Sequence, residues 1–276
     1  MSIPKQLTHQ TPMKLTFATC LAQSTETVTA DIAAYLARRL PVTVDVAHDI
    51  SWQERHAGIE RGDIQLGWIC GLPYVKLMDL VEPPVELLAA PVLAAPRYQD
   101  QPIYFSDVVV RRDSAFHNFA DLRGARWAYN EPGSHSGYVI TCYHLAQMGE
   151  DGGYFGQVTA AGGHVRALEM ILAGAVDAAA IDSTVLETEL ARKPGLADQI
   201  RVVAVFGPSP IPPWVVSLKV PASLREGIRE ALLGMHGDSE GGTTLAKEGI
   251  ARFERVSDAD YDLIRAMRRV ARAVRL

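Results

Sequence analysis

From Lys14 onward the apolar residues fall into short segments whose spacing switches between two residues and about 3.6. Leu15 to Thr19 reads as a strand, and Val28, Ile32, Tyr35, Leu36 and Leu40 form a helical stripe that ends at Pro41. Val42 to Val46 returns to strict alternation. Ser51-Trp52-Gln53-Glu54 has the spacing of a capping box, opening a helix that stops at Gly62, and Ile64 to Ile69 is the next strand. Strands alternating with helices predict an α/β protein whose sheets are mostly parallel and flanked by helices.

A Pro-rich passage (Pro83, Pro84, Pro91, Pro96, Pro102) precedes a long β-branched run, Tyr104 to Val110. The alternation then repeats: strand Arg126 to Tyr129, helix Gly137 to Met148, helix His164 to Ala173, strand Ala178 to Ile181. A second β-branched run, Ile200 to Phe206, leads into the turn-rich Gly207-Pro208-Ser209-Pro210, and after the strand Val215 to Leu218 two helices close the chain from Ser223 and Ser257. The two runs read as crossings between lobes. Residues 1–108 and 206–276 are expected to form one lobe and 109–205 an inserted second one, with a ligand cleft at the hinge.

The stretch Tyr129-Asn130-Glu131-Pro132-Gly133-Ser134-His135-Ser136-Gly137-Tyr138 stands where a strand runs into a helix. The first N–H groups of a helix lack internal partners and its dipole is positive there, so anions bind readily. A serine before a helix is also an ordinary N-cap. Two hydroxyls, an imidazole and two glycines exceed what a cap needs. No nucleophile elbow is present, because His135 occupies the central place between Gly133 and Gly137, and no P-loop lysine follows Gly137.

With 276 residues, 48% hydrophobic and 21% charged, the chain has the composition of a soluble globular protein, and no apolar run reaches the ~20 residues of a membrane span. A net charge of −5 provides no field for nucleic acid. Cys20, Cys70 and Cys142 are far apart, and Cys142-x-His144 is too short a pattern for a metal site, so neither metal nor cofactor is expected. Met13 to Ala22 faintly resembles an export leader but is interrupted by threonines and reads better as the first strand, which places the chain as written in the cytoplasm.

Tyr104-Phe105-Ser106-Asp107-Val108-Val109-Val110, Phe119-Ala120-Asp121-Leu122-Arg123-Gly124, Ser134-His135-Ser136-Gly137-Tyr138 and Val176-Asp177-Ala178-Ala179-Ala180-Ile181-Asp182 occur in an order that resembles the phosphonate-, phosphite- and phosphate-binding proteins of ABC importers. The resemblance implies the type II periplasmic-binding-protein fold and a non-enzymatic protein that closes on a small oxyanion or its ester. It also implies an ABC permease as partner and a periplasmic location. Carried over residue by residue, it makes Ser134, His135, Ser136 and Gly137 the anion cradle, Tyr104 and His164 donors, and Asp182 the acceptor for a protonated anion or a ligand amine. Trp52 and Tyr74 fall at first-lobe cleft positions. The family commonly has Ser-Thr-Ser-Gly where this chain has His135 in the middle, which alters the donor geometry and introduces a group able to carry positive charge. The alternatives on the same scaffold are a cytoplasmic enzyme of the menaquinone- or thiamine-precursor type, using His135, His164 and Asp182 as acid/base groups, and a ligand-sensing module.

Overall fold

The computed structural model describes residues 12–22, 25–150 and 152–276. Its strands gather into two sheets. The first, in the order β11-β4-β10-β3-β1-β2, holds β1 (Met13–Thr19), β2 (Val42–Val46), β3 (Leu66–Trp68), β4 (Val85–Leu93), β10 (Trp214–Ser217) and β11 (Ile250–Glu254). The second, β7-β6-β8-β5-β9, holds β5 (Ile103–Arg111), β6 (Arg126–Tyr129), β7 (Gln157–Ala160), β8 (Ala178–Asp182) and β9 (Ile200–Pro210). The expected lobe limits at residues 108 and 206 fall inside β5 and β9, which lie along their length in the second sheet.

Each sheet is mixed, not mostly parallel. Parallel pairing is confined to β1 with β2 and β3, and to β6 with β7 and β8. The strands flanking the passages between sheets, β4 and β10 on one side and β5 and β9 on the other, run antiparallel to their neighbours. A connection that leaves one sheet and returns to it does not need the right-handed helical crossover of a parallel pair.

The helices end where the sequence indicates. In α2 (Trp52–Arg61) the Ser51–Glu54 capping box is complete, and Gly62 closes the helix in the left-handed conformation, φ 74°. The stripe of α1 (Glu26–Arg39) buries Val28, Ile32, Tyr35 and Leu36 against the first sheet. On the second sheet, α5 (His164–Leu172) and α6 (Ser183–Arg192) cover one face, while α4 (Ile140–Gln147) covers the other. The last helix, α10 (Asp262–Ala271), packs Ile264 and Met267 into a core shared by α3 (Gly71–Met78) and α4, and so binds both lobes. Tyr261, just before it, donates from its hydroxyl to the Ile211 carbonyl at 3.0 Å, anchoring this element beside the hinge.

Candidate functional site

The turn after β6 is a helix start wound one residue wider than an α-turn. His135–Val139 forms a π-turn in which the Val139 N–H reaches the Ser134 carbonyl at 3.1 Å, before α4 continues from Ile140. Ser134 is its N-cap: its Oγ accepts from the Gly137 N–H at 3.1 Å. Only glycine fits at 137, because a Cβ there would stand 2.0 Å from Asn130 Oδ1 and 3.2 Å from His164 Cε1.

Ser136 faces inward. Its Oγ lies 3.0 Å from His164 Nε2, which Asn130 Nδ2 also approaches at 3.2 Å. His164 begins α5, and Asp182, the last residue of β8, caps α6 by accepting from Thr184 N at 2.9 Å and Thr184 Oγ1 at 2.7 Å. The structure thus gives Asp182 a capping role while Ser136 also stands beside its carboxylate. From the first lobe, Cys70 at the start of α3 sets its thiol against the N–H groups of Leu72 and His135. The starts of α3, α4, α5 and α6 therefore face one region.

Burial governs the protonation of this region. It drives His135 and His164 down to about 4, so both imidazoles are neutral near pH 7. The positive charge anticipated at His135 is therefore absent, because the ring is 0% exposed and has no carboxylate partner to hold a proton. Burial also lifts Asp182 to about 6 against the opposing hydrogen bonds from Thr184, and raises Tyr104 and the Cys70 thiol, the latter to about 11.

Around the turn, the buried Asn130 Oδ1 and His135 Nδ1 have no hydrogen-bond partner, and Tyr104 Oη stands beside Ser136 without a well-formed one. Such atoms are costly unless something else satisfies them. Among the described residues no group of three or more His, Cys, Asp or Glu could hold a metal ion, and no helix is long and apolar enough to cross a membrane.

Ser134, His135, Ser136, Gly137, Tyr104, His164 and Asp182 all border this region. Trp52 and Tyr74 make no hydrogen bond to these groups. Trp52 is the first residue of α2 and 40% exposed, while Tyr74 is buried edge-on against Tyr261 (centroids 4.7 Å) and donates to Asp258 Oδ1 at 2.8 Å. From the sequence, Asn130 enters only as part of the turn, and neither Cys70 nor Ser209, whose Oγ lies 2.9 Å from His135 Nε2, is assigned to the site. Asn130 and Cys70 carry a signal, each being a short polar residue just past a strand and close to a helix start. Ser209 carries none.

Residues 17–261 match the family described as "ABC transporter, phosphonate, periplasmic substrate-binding protein". Among solved structures, the chain is similar to the binding-protein component of an ABC phosphonate transporter from Pseudomonas aeruginosa, at 16% identity over 95% of this chain and 87% of that one, TM-score 0.82. It is similar to PhnD1 from Prochlorococcus marinus, solved with methylphosphonate, at 18% identity over 95% and 100% of the two chains, TM-score 0.83. A Xanthomonas citri protein solved with ATP shares the fold at 14% identity over 94% and 97%, TM-score 0.71. These matches support the substrate-binding reading and not the enzyme alternative, and the chain belongs to the family of periplasmic phosphonate-binding proteins that serve ABC transporters.

Proposed function

We propose that the two lobes close on a small phosphonate- or phosphate-type oxyanion held by Ser134, Ser136, Gly137, Tyr104 and His164, with Asp182 taking a ligand proton or amine. The observation that carries this reading is the convergence of four helix starts on buried, unpartnered polar atoms. Helix N-termini and neutral donors can hold an anion without a buried cation, and hydrogen bonds to a charged group contribute roughly 1.5–3 kcal/mol each. Four or five such bonds offset closure and leave micromolar affinity, about −8 kcal/mol. The methylphosphonate bound by the Prochlorococcus relative supports this ligand class. An ABC permease as partner, periplasmic residence, and lobes formed by the ends and the middle of the chain complete the proposal.

Calorimetry with methylphosphonate and inorganic phosphate, alongside phosphorus NMR, tests it. Binding without ligand turnover is expected. Ser136→Gly, which leaves the Ser134 cap intact, should weaken binding about tenfold while shifting folding stability by less than about 1 kcal/mol. Absence of binding to any oxyanion, steady turnover, or an unweakened Ser136→Gly protein overturns the reading.

A further inference from the structure

His135 occupies the middle of the anion turn, is 0% exposed, and keeps one ring nitrogen without a partner. A neutral imidazole has one N–H donor and one bare acceptor nitrogen, so its contribution to a site depends on which nitrogen carries the proton. The other nitrogen, Nε2, lies 2.9 Å from Ser209 Oγ on β9. Ser209 is 2% exposed, and among the described residues this is the hydrogen bond its hydroxyl makes to another side chain.

Two arrangements satisfy that contact, and they differ in what they leave unpaired. If Nε2–H donates to Ser209, the serine's own proton and the Nδ1 lone pair are both stranded in a buried region. If Ser209 donates to Nε2, the serine proton is used, and the single group left is an Nδ1–H donor. The second arrangement strands one group instead of two, and buried unpaired polar groups are what folded proteins avoid. The single group it leaves is also of the kind an anion would satisfy. Ser209 is the strand partner of Tyr104, whose hydroxyl stands beside Ser136 without a well-formed hydrogen bond, so His135 Nδ1 and the Tyr104 hydroxyl belong to one neighbourhood between the turn and the hinge strands.

Resting on the proposed oxyanion site, we propose that Ser209 is a positioning residue that fixes His135 as its Nδ1–H tautomer, so that the turn presents a neutral imidazole N–H to the ligand. The hinge strand β9 thereby sets the chemistry of the cradle. The donor adds no charge.

Long-range proton–nitrogen NMR on histidine-labelled protein, with His135 signals identified by their loss in His135→Asn, reads the tautomer without ligand. The wild type should show Nδ1–H, and saturating methylphosphonate should move that proton downfield. Ser209→Ala should lose the single tautomer and bind methylphosphonate about tenfold more weakly, while Ser209→Thr, which retains the hydroxyl, should restore both. An Nε2–H wild type, or a Ser209→Ala protein with unchanged tautomer and affinity, overturns the inference. Failure of every oxyanion to bind would instead overturn the proposed function, and the ligand-free tautomer would still decide the role of Ser209.

Discussion

The two lobes reach the cleft with the same local grammar and opposite chemistry. In each, a short parallel-paired strand ends in a turn that opens a helix: β3 into Cys70 and α3, β6 into Ser134 and α4. The second-lobe turn is built from hydroxyls and an imidazole, capped by Ser134. Cys70 offers only a thiol to the Leu72 N–H and makes no full side-chain cap, and α3 buries Leu72, Tyr74, Val75 and Leu77 behind it. A thiol is a weak hydrogen-bonding group. On the proposed function, the difference implies a division of labour in which the second lobe supplies side-chain donors, while the first supplies a helix dipole and an apolar cover that excludes water as the lobes meet.

A matched pair of glycine substitutions puts the sharpest strain on this comparison. In Gly137→Ala the new methyl would meet Asn130 Oδ1 at 2.0 Å, displacing the side chain that steadies His164 and disturbing the Ser134 cap. Loss of two charge-assisted bonds of ~1.5 kcal/mol predicts a fall in methylphosphonate affinity of about a hundredfold. In Gly71→Ala the methyl would meet Ile264 Cδ1 at 2.3 Å, the mobile tip of a core side chain on α10. That is overpacking, with a cost of about 1–3 kcal/mol in folding and an affinity within roughly threefold of wild type. Calorimetry and chemical denaturation on both variants measure the contrast, and a larger affinity loss in Gly71→Ala would reverse the assignment of roles.

The two buried histidines supply a second difference between the lobes. Their folded pKa values, about 4, lie below the ordinary 6.5. A depressed value means the unfolded chain binds the proton more tightly, so stability is fully present above pH 6.5 and is lost as pH falls toward 4. Asp182 acts with the opposite sign in pH: raised from 3.8 to about 6, it contributes most below pH 3.8 and loses that contribution as pH rises through 6. The histidines together outweigh it, with an effect on the order of 3 kcal/mol each. Denaturation midpoints between pH 7 and 4.5 should fall steeply in the wild type and visibly less in His135→Gln. Equal slopes would show that His135 is not held neutral by burial.

How much of this was legible in the sequence follows from how local the signal was. The capping box at Ser51, the glycine stop at Gly62 and the hydroxyl-rich turn are written in consecutive residues and emerged as read. The strand β4 was hidden by Pro83, Pro84 and Pro91, yet it pairs on both sides, with Pro91 opposite Phe253 at the β11 end. Likewise Gly207-Pro208-Ser209-Pro210 has the composition of a turn but continues β9 alongside Ile103 and Tyr104, past a register shift between Tyr104 and Ser106. Misreading that segment is what concealed Ser209. Its meaning arises from register with a strand about a hundred residues earlier, and no local pattern carries that information.

The smallest expected effects fall on the two first-lobe aromatics assigned to the cleft by resemblance. Trp52 stands at the exposed start of α2, outside the buried cluster around Ser136, so Trp52→Ala should change methylphosphonate affinity by less than about twofold. Tyr74 is buried, but its hydroxyl is spent on Asp258, which Arg265 also holds at 2.8 Å. Tyr74→Phe keeps the ring packed on Tyr261 and removes one hydrogen bond to a carboxylate that retains another partner. A loss of about 1 kcal/mol in folding with unchanged affinity is therefore expected. Paired denaturation and calorimetry on these variants separate the alternatives cleanly. If either substitution weakened binding tenfold, the first lobe would be contributing side-chain recognition as well as cover, and the division of labour drawn between the two helix starts would have to be abandoned.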